Sequence, residues 1–220
     1  MDESTLHSRL ATTLQIILLA GAIGAIWNQQ WFNAVIIIGI IFITLLPLVL
    51  AKSFDFVIPH EFNLITIGFV FASLFLGEVH GYYTKFWWWD IVLHTSSGFL
   101  LGMIGFLLVY VLNETEQIQL SMRPGFVAFF AFLFALGMGA LWEIIEFSFD
   151  TVFDMNMQKP MLGDNTGLTD TMWDLIVDAL GALVISILGY GYLKATQDES
   201  FLERWIRKFI RSNPRLFRQD

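Results

Sequence analysis

Three short stretches set ionisable side chains within apolar sequence: Asp90-Ile-Val-Leu-His94, Trp142-Glu143-Ile-Ile-Glu146 and Asp170-Thr-Met-Trp-Asp174-Leu-Ile-Val-Asp178. Offsets of three and four residues put each set on one face of a helix. Carboxylates with an imidazole and no thiolate suit Mg²⁺, Mn²⁺, Fe²⁺, Zn²⁺ or Ca²⁺, and two-metal carboxylate sites in helical bundles use similar ligand spacings. The spacing therefore predicts a divalent-metal site of His94, Glu143, Asp174 and Asp178. A metal there would polarise a phosphoryl or carbonyl oxygen or activate water, with Glu146 or Asp90 as general base.

The elements that must hold these residues follow from composition. Of 220 residues, 56% are hydrophobic and only 15% charged, and the mean hydropathy is +0.64. Soluble domains carry roughly 25% charged residues, so this composition excludes one. It also excludes disorder and solenoid repeats. With no Cys there is no disulfide framework, thiolate nucleophile, iron–sulfur site or Cys-ligated zinc. Apolar runs long enough to cross a bilayer occur at about 10–27, 34–51, 62–78, 90–112, 126–149 and 172–193. The expected fold is all-α: a polytopic integral membrane protein whose six-helix transmembrane bundle forms a single domain over 1–193. Asp2 and Glu3 spoil the positive start that a cleaved signal needs.

A basic tail follows at 194–220, in which Phe201, Leu202, Trp205, Ile206, Phe209 and Ile210 recur at helical spacing opposite Arg204, Arg207, Lys208 and Arg211. This predicts an amphipathic helix on the inner leaflet, held by apolar burial and anionic lipid. The alternative is a soluble helix that docks a partner.

Six spans place both termini on one side. Ten Lys and Arg residues fall on that side, and only Lys85 and Lys159 opposite, so both termini are expected in the cytoplasm of a bacterial inner membrane. Acids divide evenly, ten to each side, so the whole net charge of −8 belongs to the outer half. Such a surface attracts cations and repels nucleic acid. Carboxylates gathered in one layer there cannot all stay ionised without protonation, cationic partners or a metal, and the outer side offers few cationic side chains.

Below each acidic set the same helix face continues in small residues: Gly98 and Gly102, Gly139 and Ala135, Ala182 and Ser186. Small residues four apart let transmembrane helices approach closely, so the fourth, fifth and sixth spans should pack through these stripes and bring their acidic ends together. Plainer roles compete. Asp170, or Thr169, can cap a helix, Asp90 can interact with the helix dipole, and a lone interior His94 is commonly just hydrogen-bonded. Glu78 and His80 could join the rim or be interfacial. The loop Gly163-Asp164-Asn165-Thr166-Gly167 reads as turn chemistry rather than a calcium loop.

With Trp89-Asp90-x-x-x-His94-x-x-x-Gly98, Trp142-Glu143-x-x-Glu146 and Asp170-Thr-x-Trp173-Asp174-x-x-x-Asp178-x-x-Gly181-Ala182 in order, the chain resembles the YjdF-like family of bacterial inner-membrane proteins over about 60–193. More distantly it resembles VanZ-like proteins, from which it departs in having Asp178 where Asn is usual and Glu146 where Gln is usual. The first resemblance implies no reaction; the second loosely implies a cell-envelope role. Two functions are therefore expected in competition. One is a metal-dependent enzyme acting on a lipid or lipid-linked envelope substrate. The other is a non-catalytic protein, an accessory subunit of a membrane complex or a cation or proton carrier, whose carboxylates bind ions or hold the helices together.

Overall fold

The computed structural model describes residues 3–53, 57–114, 122–194 and 208–214. The chain is all-α: α1 (Glu3–Trp27), α2 (Trp31–Ser53), α3 (His60–Val70, continued as a π-helix over Phe71–Val79), the single turn α4 (Tyr82–Lys85), α5 (Trp89–Glu114), α6 (Pro124–Phe153) and α7 (Leu168–Lys194). Among the described residues six helices are long and apolar enough to cross a membrane, beginning at Thr5, Trp31, His60, Trp89, Pro124 and Leu168. Among the described residues the only extended pairing is an isolated bridge between Met161 and Asp164.

The helices form two compact units. The first comprises α1 to α4 with residues 208–214. Its core is apolar, built from Leu18, Ala22, Ala25, Ala34, Ile37, Ile40 and Phe75. The turn between α1 and α2 is closed by Gln30 N–H donating to Ala25 O at 2.8 Å, with Gln29 at φ 57°. The π-helical stretch ends where His80 N–H donates to Phe75 O, five residues back. Nothing in the apolar pattern of 62–78 signals that widening, because hydropathy reports only that a segment is buried in lipid. Gly77 faces the Tyr83 ring so closely that a Cβ would collide with it. His80 Nδ1 lies 2.9 Å from Phe75 O and its ring contacts that of Phe75, so His80 is committed to its own turn.

The tail is described only at 208–214; Phe201 to Arg207, most of the expected interfacial helix, lies outside the described residues. What is described docks on its own chain. Val57 N–H donates to Asn213 Oδ1 at 2.5 Å and Asn213 Nδ2 donates back to Val57 O at 2.8 Å, as one strand residue pairs with another. Lys208 pairs with Glu61, which His7 also faces at 3.4 Å.

The second unit comprises chiefly α5, α6 and α7, of which α5 and α7 are the most extensively paired. In lipid there is no hydrophobic gain from burying one apolar helix on another, so close packing must hold them together. Accordingly Leu180, Ile187, Phe129 and Ile144 point outward while the contacts are made by glycine. A Cβ on Gly98 would strike the backbone carbonyl of Asp178, and one on Gly181 would strike that of Thr95, so α5 and α7 touch backbone to backbone. Gly102 faces Ile185, Gly105 faces Phe134, and Gly139 of α6 faces the Asp178 carboxylate. The stripes expected from the sequence are therefore real interfaces, extended by Gly105, Gly181 and Gly189.

Thirty residues of α6 span about 45 Å at 1.5 Å per residue, more than a hydrocarbon core of roughly 30 Å. The excess carries the helix beyond the expected end at 149. Asp154, at φ 53° and ψ 41°, then ends it in a left-handed conformation. The loop to α7 folds back on carboxylates: Asp150 accepts N–H bonds from Met157 and Gln158 at 2.7 and 2.9 Å. Met161 to Asp164 forms a two-bond turn through Leu162 and Gly163, both at positive φ. Asp164 accepts from Thr166 N–H, Thr166 Oγ1 and Thr169 N–H, and it is Asp164, outside the helix, that serves the first turn of α7. The expectation that Asp170 or Thr169 caps this helix is thus corrected: both lie within it, and Asp170 instead accepts the Lys159 N–H at 2.6 Å.

Candidate cation site

Packing through glycine sets the acidic ends of α5, α6 and α7 against one another, and His94 stands at the centre. Its Nε2 lies 3.6 Å from Asp90 Oδ1, 3.9 Å from Glu143 Oε1 and 3.9 Å from Asp174 Oδ2. Its Nδ1 lies 3.3 Å from Asp178 Oδ2. One imidazole thus meets four carboxylates from three helices. Gly139 makes this possible, since the space a side chain would fill there holds the Asp178 carboxylate.

The two faces of the imidazole are unequal. Asp178 is fixed from the other side by Ser97, whose Oγ is 2.5 Å from Asp178 Oδ1 and 2.8 Å from the His94 carbonyl oxygen. On the Nε2 side, Asp90, His94 and Asp174 can offer one ligand atom each with all three atoms within 4.8 Å of one another. Glu143 is only 4% exposed, yet neither of its oxygens receives a hydrogen bond, nor does Asp174 Oδ1 on a residue 1% exposed. Buried polar atoms ordinarily find partners, and a buried unpaired carboxylate is costly. These three oxygens accept no hydrogen bond, and Glu143 Oε1 faces the His94 ring at 3.9 Å.

The expected residues therefore sort by geometry. His94, Glu143, Asp174 and Asp178 do converge, but Asp178 lies on the opposite ring nitrogen from the other two. Asp90, expected as a base, belongs to the closest ligand set. Glu146 is buried but turned elsewhere, its Oε1 accepting from Trp142 Nε1 at 2.9 Å. Sequence reasoning missed Ser97 and Trp142 as partners. Ser97 could have been found as a hydroxyl three residues after His94, and Trp142 as a donor four residues before Glu146.

Beside Glu143 a cleft of about 520 Å³ opens between α6, α7 and their connecting loop. Its walls are mainly Ala140, Ile144, Phe147 and Leu175, with Thr171, Gln158 and Thr166 supplying polar atoms. Gln158 Nε2 donates to Thr171 Oγ1 at 2.7 Å, which leaves the Thr171 proton free to be donated.

Fold and site together define a polytopic α-helical membrane protein with a buried carboxylate–histidine cluster. The chain belongs to the family described as "Predicted membrane protein (DUF2238)", which it matches over residues 6–195. It is similar to an uncharacterised protein of Thermotoga maritima, 33% identical over 145 residues, covering 66% of this chain and 69% of that protein. No solved structure matches it.

Proposed function

We propose that the α5–α7 unit binds a divalent cation through Asp90, His94 Nε2 and Asp174, and that the protein uses it on a lipid or lipid-linked envelope substrate. The carrying observation is that Asp90, His94 and Asp174 each offer a ligand atom with all three within 4.8 Å of one another, beside the buried and donorless Asp174 Oδ1. A carboxylate–imidazole donor set fits Mg²⁺, Mn²⁺, Fe²⁺, Zn²⁺ or Ca²⁺. Bound there, the ion would polarise a substrate oxygen or activate water. Asp178 is the positioning residue: by accepting from Nδ1 it would hold His94 in the tautomer that turns the Nε2 lone pair to the ion. Ser97 in turn holds Asp178. Three motifs in order support the YjdF-like and, more distantly, VanZ-like resemblance, and the family match is compatible with the first.

The orientation we propose is a bacterial inner-membrane protein with both termini cytoplasmic and the site at the outer face, on the ten-to-two division of Lys and Arg. The Cys-free chain makes this easy to check: Lys194→Cys should be shielded from an impermeant thiol reagent added outside intact cells, and labelling there would reverse the orientation.

Binding is tested on the purified full chain, stripped with chelator, by thermal unfolding and elemental analysis. An ion that binds only the folded state stabilises it by about 2.7 kcal/mol at a hundredfold excess over Kd. At least one of the five ions should raise the melting temperature, and Asp174→Asn should abolish the rise. Five flat titrations would leave the cluster as helix packing alone.

A further inference from the structure

The acidic end of the second unit has one Lys or Arg within its reach. Between Lys85 and Lys194 the sequence holds only Arg123 and Lys159. Arg123 precedes α6 at the end remote from Glu143, whereas Lys159 lies in the loop from α6 to α7. That loop is fastened where it passes the acidic ends. Asp150 takes the N–H groups of Met157 and Gln158, and Asp170 takes that of Lys159 at 2.6 Å. Gln158 is tied to Thr171 and lies against Gly167, where a Cβ would strike it. The backbone of Lys159 is thus pinned by a carboxylate only 2% exposed, while its four-carbon stem can still swing. Its ammonium donates to the Asn156 carbonyl, and its charge is felt by Asp90, Glu146 and Asp170.

An ion bound by Asp90, His94 and Asp174 has to pass that ammonium. The side chains of the three are 16%, 11% and 2% exposed, so the way in lies over Asp90. A divalent ion and an ammonium repel each other and compete for the same carboxylate, so Asp90 cannot hold both. We propose that Lys159 is a tethered counter-ion that plugs the cation site at Asp90 and swings out when a divalent ion enters. Without the ion, the ammonium offsets part of the charge of carboxylates that otherwise share one imidazole. With the ion bound, that need is met and the lysine is released. The plug also sets a threshold, because displacing an ammonium favours a divalent ion over a monovalent one. This is regulation of the proposed site, and it rests on that reading for the ligand set.

The test uses the purified full chain, stripped with chelator, with Mg²⁺, Mn²⁺, Fe²⁺, Zn²⁺ and Ca²⁺ added singly. Lys159→Gln removes the charge but keeps the backbone N–H that Asp170 holds. Without ion it should unfold at a lower temperature than the wild type, and it should bind the stabilising ion about fivefold more tightly, the scale of one partly exposed ion pair. Lys159→Arg keeps the charge and should bind the ion with near wild-type affinity. Removing any nearby positive charge would tighten binding, so displacement is read separately in the wild type. Acetylation of Lys159, followed by mass spectrometry with Lys85 of the first unit as internal reference, should run several-fold faster once the ion is bound. Acetylation that the ion leaves unchanged or slows would overturn the plug, as would equal ion affinity in wild type and Lys159→Gln. The two failures are distinct. Flat thermal titrations of both proteins remove the ion site and the plug with it, whereas an ion response in both with Lys159 unmoved removes the plug alone.

Discussion

The two units gather charge in contrasting ways. In the first, the acid Glu61 is met by a Lys and a His, Lys208 and His7. Its buried hydroxyl is served locally, Thr44 Oγ1 donating to Ile41 O at 2.8 Å, and its core is closed by Leu18, Ile37, Ile40 and Phe75. In the second, four carboxylates share one imidazole, with the helices closed by glycine against backbone. Large side chains alone would pack three helices in lipid equally well, as the first unit does. Backbone contact does something further: it brings Asp90, His94, Asp174 and Asp178 within a few ångströms of one another and leaves buried carboxylate oxygens without hydrogen-bond donors.

The largest effect should come from breaking that contact. Gly98→Leu and Gly181→Leu meet backbone that cannot move aside, and each should cost upwards of about 3 kcal/mol or prevent folding, the upper end of overpacking effects. Gly24→Ala and Gly39→Ala, with nothing within 4 Å, should change thermal stability little. If all four behave alike, close approach does not distinguish the units.

Next is the orientation of His94. Asp178→Asn should weaken the ion affinity about 10- to 100-fold, as loss of an outer partner of a metal-bound His does, without abolishing it. Titrating ion-induced stabilisation in this variant beside Asp174→Asn ranks the two carboxylates, and equal loss in both would make Asp178 a ligand. In the wild type the ion response should shrink as pH falls below neutral, because ligands must shed protons to bind.

In the first unit, Asn213→Ala removes both bonds to Val57 and should cost about 1–3 kcal/mol, read as earlier thermal unfolding or faster proteolysis of the tail. Unchanged protease sensitivity would mean that the tail is held otherwise.

The smallest effect belongs to Asp164. The Thr166 hydroxyl, the Thr166 N–H and the Thr169 N–H hold its carboxyl well below the usual carboxylate range. Folding therefore favours the ionised form, so its contribution is complete above the ordinary Asp range and lost as pH falls from there towards the lower folded value. The stability difference between wild type and Asp164→Ala should close on acidification and be flat above neutrality, while divalent-ion binding is spared throughout.

Hydropathy determined the six spans, because a segment that crosses lipid must be long and apolar whatever it packs against. Helical spacing determined which acids share a face, and small residues below them determined which faces meet. Tertiary structure decided what spacing cannot carry. Rotation about the α5–α7 contact put Asp178 on Nδ1 and Asp90, Glu143 and Asp174 on Nε2, so Asp90 joined the closest ligand set. The side-chain torsion of Glu146 turned it to Trp142, and the folding of 156–170 onto α6 and α7 built the cleft beside Glu143. Register along a helix is local and periodic and so is written in sequence. The facing of one ring nitrogen depends on several helices at once, and no single stretch of residues encodes it.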